Sequence, residues 1–332
     1  MNVRTARPPS LVGRGARAPA HSPTTVILAA MLNSETSGDG RRSSASSTSE
    51  PPVARRTSTH RVVIERGSIG LLVALREVWD YRELLYFLVW RDIKVRYKQT
   101  ALGASWAILQ PFMLMVVFTL FIGNLGGLAA KTHGIPYPIF LYAGLVPWTF
   151  FSQSLNAASQ SVVGDKELVS KVYFPRMILP IAVAASFLVD LALSMVVLAG
   201  MMVYYGITPT SGVVFLPAFI VLAYATSLAL STWLAALNVR YRDVRYLVPS
   251  LLQLWMFLSP VVYPSGLVPP RFRFLYAFNP MAGVCEGFRW ALLGQATTVG
   301  AYSAVSVAVV ALLLAGGVRY FRRVERTFAD VV

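Results

Sequence analysis

Leu179-Pro-Ile-Ala-Val-Ala-Ala-Ser-Phe-Leu-Val-Asp-Leu-Ala-Leu-Ser-Met-Val-Val-Leu-Ala-Gly-Met-Met-Val-Tyr204 runs for 26 residues with a single charge, Asp190, inside it. A helix rises about 1.5 Å per residue, so the run covers the ~30 Å hydrocarbon core of a bilayer. It is apolar on every side, which a helix on the surface of a water-soluble domain is not. The segment therefore reads as a membrane span.

Five more segments outward from it read the same way. The six spans are Ala104–Leu125, Pro138–Ala158, Leu179–Tyr204, Val213–Ala236, Leu247–Tyr263 and Tyr302–Val318. The fifth is the weakest, because Pro249, Pro260 and Pro264 interrupt it; proline is tolerated in spans where neighbours satisfy the freed carbonyls. Composition agrees. The 332 residues are 55% hydrophobic and 14% charged, against about 25% charged in an average soluble domain. Beyond the first 75 residues, which hold ten Arg and four acids, the basic residues behind the net charge of +15 sit in short clusters between apolar runs, which suits anionic lipid and argues against nucleic acid.

Charge also sets orientation. With the N-terminus inside, the inner side holds Arg91, Lys94, Arg96, Lys98, Lys166, Lys171, Arg176, Arg240, Arg242, Arg245, Arg319, Arg322, Arg323 and Arg326. The outer side holds only Lys131, Arg271, Arg273 and Arg289. This asymmetry is the positive-inside pattern, and six spans bring the C-terminus inside as well.

Residues 1–70 form a Ser-, Pro- and Arg-rich tail expected to be disordered, or an overlong start with Met31 as the initiator. Residues 71–332 form the membrane domain. Within it, 72–98 reads as an amphipathic helix at the membrane interface, with Leu84, Leu85 and Leu88 at helical spacing. The connection from Pro264 to Gly300 is too long for a turn and too apolar to float in water. Arg273–Phe278 and Val284–Leu293 read as two short helices, broken at Asn279-Pro280, that re-enter the membrane from outside. The expected fold is thus an all-α integral membrane protein. It has six transmembrane helices, an N-terminal amphipathic interface helix and short re-entrant outer helices between spans five and six.

Chemistry is sparse. Cys285 is the one cysteine, and His21, His60 and His133 lie far apart. There is no HExxH, CxxC, GxGxxG or GxxxxGK[ST], so any nucleotide must be bound by another chain. Asp190 is the only acid in a predicted span. A lone intramembrane carboxylate with no second acid or histidine to receive a proton reads as a structural hydrogen-bonding group facing protein or water. The inner loop carrying Asp165, Lys166, Glu167, Leu168, Lys171, Tyr173 and Arg176 has the form of a short docking helix, although many polar inner loops of this length look alike. Trp106, Trp148 and Trp290 read as interfacial belt residues. Phe112, Trp255 and Phe257 lie deeper, where lining a path and simple packing both remain open. Gln110, Gln153, Asn156, Gln160 and Gln253 either join helices or line a wet channel.

Four stretches, in one order, carry a resemblance. They are Trp90-Arg-Asp-Ile-Lys-Val-Arg-Tyr-Lys-Gln-Thr-Ala-Leu-Gly-Ala-Ser-Trp-Ala-Ile-Leu-Gln-Pro111; Lys171-Val-Tyr-Phe-Pro-Arg-Met-Ile-Leu-Pro180; Asn238-Val-Arg-Tyr-Arg-Asp-Val-Arg-Tyr246; and Asn279-Pro280 with Phe288-Arg-Trp-Ala-Leu-Leu-Gly294. Residues from about 70 to the C-terminus resemble the type-2 ABC exporter permeases, in the branch that exports lipid-linked O-antigen, capsule, teichoic acid or galactan chains.

The resemblance implies a homodimer in the bacterial cytoplasmic membrane with two copies of a separate ABC ATPase. ATP and Mg would sit on that partner, and this chain would bind no cofactor and catalyse no covalent step. It implies that Trp90, Arg91, Asp92, Arg96 and Tyr97 lie on the interface helix, and that Asp165–Arg176 holds the ATPase coupling helix. Spans one and five would line the path, with Gln110, Phe112, Gln253, Trp255 and Phe257 as candidates. Asn279, Pro280, Phe288 and Trp290 would belong to outer gate helices. Two alternatives stand beside this reading: a small-molecule or drug exporter of the same architecture, and a membrane-embedded glycosyl- or acyltransferase, for which the required acid pair or histidine is missing.

Overall fold

The computed structural model describes residues 71–98, 105–132, 134–294 and 299–325. The tail 1–70, His133 and Arg326 lie outside them, as do the residues between Lys98 and Ser105 that lead into the first span. Every regular element among the described residues is helical. In chain order they are α1 (Leu71–Asp80), α2 (Arg82–Lys98), α3 (Ser105–Phe118, continued by a π-helical turn Thr119–Leu125), α4 (Tyr137–Gly164), α5 (Lys166–Lys171), α6 (Ile178–Ser186), α7 (Leu188–Tyr204), α8 (Leu216–Arg240), α9 (Val244–Leu258), α10 (Pro270–Ala277), α11 (Pro280–Leu293) and α12 (Val299–Glu325).

Four stretches are long and apolar enough to cross a membrane: Ser105–Leu125, Ile178–Tyr204, Ser211–Arg240 and Ser303–Glu325. Helix α4 is long enough, at 28 residues, or about 42 Å. Its Ser, Gln and Asn residues beyond Phe151 make it less apolar than those four. It is instead the hub. All residues from Ile139 to Phe151 are buried, so this stretch of α4 is covered on every side. Pro136 and Pro138 flank Tyr137 at its start, where a missing amide hydrogen costs nothing.

Helix α8 packs on α4 and α12 through small side chains. Ala223, Thr226, Ser227, Ala229, Ser231, Thr232, Ala235 and Ala236 are all buried, and small residues let helix backbones approach. The Oγ atoms of Ser154 and Ser227 lie 2.7 Å apart, and Asn238 donates to the Ser159 carbonyl at 3.2 Å. On the α12 side, Trp233 stacks on Tyr320 with ring centres 5.1 Å apart and donates to the Leu313 carbonyl at 2.9 Å. Gly316 makes room for this indole, because a Cβ there would come within 2.9 Å of it.

Three expectations change. The predicted interface helix over 72–98 is two helices, with a turn at Tyr81. Of its three spaced leucines, Leu84 and Leu88 are buried and Leu85 is half-buried, while Tyr86, Phe87 and Trp90 are exposed. The third span, expected as one helix, is interrupted by a single turn residue, Phe187, whose amide bonds the carbonyl three residues back at 3.3 Å instead of four. This places Asp190 in the first turn of α7. The fifth segment, expected over Leu247–Tyr263, is helical only over Val244–Leu258. Those 15 residues rise about 22 Å, short of a full hydrocarbon core. Ser259 is extended because the residue before a proline is pushed out of the helical region, and Pro260 has no amide hydrogen to continue the ladder.

Candidate functional site

Helix α4 provides a ruler with the polar features of interest at its two ends. At its Gly164 end, Asp165 starts α5, and its carboxylate accepts from Arg91 of α2 at 2.8 Å. Arg91 also donates to Asp92 at 3.0 Å. Burial pulls the Arg91 guanidinium down, but the hydrogen bond to Asp165 and its charge carry it above its ordinary value. Asp92 is held above the usual carboxylate range by burial, against the opposing pull of Arg91.

One turn further along α2, Arg96 donates to Asp190 at 2.6 Å and to Ser186 at 2.8 Å. The Arg96 guanidinium lies 3.6 Å from the centre of the Phe187 ring, and the Tyr97 hydroxyl donates to the other Asp190 oxygen. Burial, then the hydrogen bond to Asp190 and its charge, push the Tyr97 phenol upward. The one acid of the sequence-predicted spans is thus ion-paired to α2.

Helix α5 is a single exposed step. Lys166, Glu167, Lys171 and Tyr173 are exposed, Leu168 is half-buried, and Val169 inserts into the protein. Glu167 and Lys171 pair along the helix at 3.2 Å. Arg176, expected in the same docking set, turns away from it. Its backbone amide donates to the Glu325 carboxylate at 2.9 Å, and its guanidinium donates to the Glu325 carbonyl at 2.6 Å. Arg322 reaches Glu77 of α1 at 2.7 Å. The last turn of α12 thereby ties α1 to the loop after α5.

Between the ends, α3 and α9 both lie against α4. Gln153 of α4 donates to Gln110 of α3 at 2.7 Å, and Phe118 meets Phe257 edge-on at 6.4 Å. Gln110, Phe112, Gln253 and Phe257 are all exposed. Trp255 is not on that open face. Its ring packs edge-on against Phe151 at 5.4 Å, and its N–H donates to Asn279 at 3.1 Å.

The Tyr137 end holds what sequence reasoning missed. Arg289, counted above among the charges of the outer side, is fully buried on α11. It donates to the carbonyls of Phe140 at 3.1 Å, Pro260 at 2.5 Å and Val261 at 2.6 Å. The last two carbonyls lie beyond the end of α9, where no helical amide reaches them, and the guanidinium supplies their donors. The Phe140 ring lies 3.8 Å below it. Gly144 is required here, because a Cβ would occupy the space of the guanidinium. Glu286, also buried, is 3.5 Å away. Removing one partner of such a buried pair costs about 3–5 kcal/mol.

Asn279 caps α11 by accepting from the Met281 amide at 3.1 Å, and donates to Ser259 at 2.8 Å. Pro280 and Phe288 are buried. Trp290 is half-buried against Phe215 and Phe219. The break at Asn279-Pro280 is as expected from the sequence. The signal available for Arg289 was the i, i+3 pair Glu286…Arg289 inside an otherwise apolar helix.

The described residues thus form a bundle of long apolar helices, with a short charged helix, α5, at one end of α4 and the two short helices α10 and α11 toward the other, the make-up of a membrane-embedded protein. No group of His, Cys, Asp or Glu among the described residues is arranged to hold a metal. Residues 83–293 match the ABC-2 type transporter family, and the chain belongs to that family. It is a multi-pass membrane protein.

Among its relatives, the chain is 33% identical to the O-antigen export system permease protein RfbA of Myxococcus xanthus, over 78% of this chain and 98% of that protein. It is 24% identical to a protein of the same name from Klebsiella pneumoniae, over 75% of this chain and 95% of the relative. The polysialic acid transport protein KpsM of Escherichia coli is 24% identical, over 61% of this chain and 78% of its own.

Proposed function

We propose that this chain is the permease subunit of an ABC exporter that carries a lipid-linked polysaccharide outward across the cytoplasmic membrane. The observation that carries the reading is the alignment with an O-antigen export permease along nearly that protein's whole length. Two copies of the chain assemble with two copies of a separate ATPase, which holds ATP and Mg, and this chain binds no cofactor. Both termini face the cytoplasm. Helices α4 and α9 count as spans with the four long apolar stretches, making six; α9 completes its crossing through the non-helical residues after Leu258.

In this reading α5 seats in a groove of the ATPase. Its exposed face, with Lys166, Glu167, Lys171 and Tyr173, makes the contact. Asp165 passes the displacement to α2 through Arg91, and Arg96 with Tyr97 passes it to the third span through Asp190. Arg176 holds the loop to α12 and does not touch the partner. The exposed Gln110, Phe112, Gln253 and Phe257 line the path, where aromatic faces stack on sugar rings and amides bond hydroxyls without holding either tightly. The outer helices α10 and α11 cap the exit.

Deleting the chain tests the reading. Surface polysaccharide should disappear, lipid-linked polymer should accumulate inside, and the chain should co-purify with an ATPase carrying a phosphate-binding loop. Normal surface polysaccharide in the deletion strain, with loss of resistance to a small molecule, would favour a drug exporter of the same architecture.

A further inference from the structure

The tip of α9 and the helix α11 are joined through almost every polar group that the break at Pro260 exposes. The Leu258 carbonyl accepts from Asn279 at 3.3 Å and the Ser259 hydroxyl meets the same side chain at 2.8 Å. The Pro260 and Val261 carbonyls accept from Arg289. The Val262 carbonyl accepts from the Tyr137 hydroxyl at 2.8 Å. Arg289 reaches α4 as well, through Phe140, and Cys285 donates to the Gly144 carbonyl of α4 at 3.7 Å. Three segments of the chain, 137–144, 258–262 and 279–293, therefore meet around one buried guanidinium.

A broken helix followed by a short re-entrant helix suggests a flap hinged at the break. The bonding argues against a flap. If α11 swung away alone, a buried cation and three carbonyls would lose their partners together, and lipid offers none in exchange. The Phe140 ring and the absent Cβ of Gly144 shape the pocket to this one side chain, which a site meant to empty in every cycle would not need.

We propose that Arg289 and Asn279 are positioning residues that brace the tip of α9, helix α11 and the start of α4 into one body. The exit of the exporter then opens by moving this body as a whole, with no hinge at Ser259-Pro260. The inference rests on the export reading for its cycle and on the geometry alone for the brace.

Cys285 is a built-in reporter. It is the only cysteine in the chain, lies on α11 and is fully buried. The complete exporter in membranes is treated with N-ethylmaleimide at rest and during ATP-driven export. Protection of a buried group reports the population of opened states, so Cys285 should label at the same slow rate in both conditions. Arg289→Met should label on the order of tenfold faster at rest, because the brace that keeps α11 against α4 is gone. Labelling of the unaltered chain that rises about tenfold during turnover would overturn the proposal, since α11 would then leave α4 in each cycle. So would an Arg289→Met chain that inserts normally and stays as protected as the unaltered one. If Arg289→Met does not reach the membrane, the comparison of rest with turnover in the unaltered chain still decides. If the unaltered chain supports no ATP-driven export, the functional reading fails, while labelling at rest with and without Arg289 still tests the brace.

Discussion

The two ends of α4 are both held by arginine, and they are held in opposite ways. At the Gly164 end, Arg91 and Asp165 keep 32% and 26% of their side-chain surface exposed, and Glu167 and Lys171 keep 80% and 72%. At the Tyr137 end, Arg289 and Glu286 keep 0% and 2%. Pairs reached by water contribute about 0.2–1 kcal/mol, are screened by salt and exchange partners at little cost. A buried guanidinium bonded to backbone has no such freedom. Under the proposed function the first end takes a new partner and passes on a displacement, and the second keeps its contacts while the helices around it move.

The sharpest way to break this contrast is at Arg289. Arg289→Met should cost about 3–5 kcal/mol by stranding Glu286 and three carbonyls. The folded protein recovered from membranes should fall several-fold, with a matching drop in unfolding temperature in detergent. Arg289→Lys should recover only part of this, because an ammonium lacks the fork that reaches three acceptors. Full stability in Arg289→Met would place the burial of this group among features without energetic weight.

Arg96 and Asp190 lie between the extremes, at 28% and 11% exposed. Arg96→Leu should cost about 1–3 kcal/mol, since Asp190 keeps only the Tyr97 hydroxyl. Exchanging the two residues, Arg96→Asp with Asp190→Arg, should restore part of the loss in unfolding temperature. If the exchange is worse than the single variant, the pair acts through geometry and not through charge.

At the exposed extreme, Glu167→Lys with Lys171→Glu keeps the pair along α5 and inverts the charge pattern that a partner meets. Pairs of this kind contribute about 0.3–0.5 kcal/mol, so stability should stay level. Export and co-purification of the ATPase should fall. An unchanged export rate would remove these residues from the coupling contact.

What could be read from the sequence divides along the same line. The long apolar runs announce themselves because hydropathy needs no neighbours to be interpreted. The break at Asn279-Pro280 is local chemistry, an N-cap followed by a proline at the first helical position, and it is legible for that reason. The ion pairs are not. Arg96 and Asp190 are 94 residues apart, and nothing in either neighbourhood says they meet. The burial of Arg289 is not legible, because a charge in a connection between spans is ordinarily wet, and only the fold reveals the carbonyls beyond the end of α9 that it meets. The end of α9 was misjudged for the complementary reason. Hydropathy continues through Pro260-Val-Val-Tyr263, while the backbone cannot.

The smallest effect expected is also the one with a defined dependence on pH. Asp92 accepts from Arg91 through one oxygen, and its other oxygen is buried with no hydrogen-bond partner among the described residues. Burial holds its carboxyl above the usual range, so near neutral pH the charged form is less favourable in the folded chain than in the unfolded one. A group raised in this way adds stability at low pH and loses it as pH rises through its folded value. Asp92→Asn removes the charge while keeping the shape, and relieves the repulsion with Asp165 that Arg91 now offsets. The variant should therefore unfold slightly later than the unaltered chain at neutral pH. The difference should close as pH falls through the raised range of Asp92, where both side chains are neutral. A variant that unfolds earlier at neutral pH would mean that Asp92 contributes more by orienting Arg91 toward Asp165 than its burial costs. The wet end of α4 would then depend on an acid it can barely solvate, and the contrast with the buried end would be one of degree.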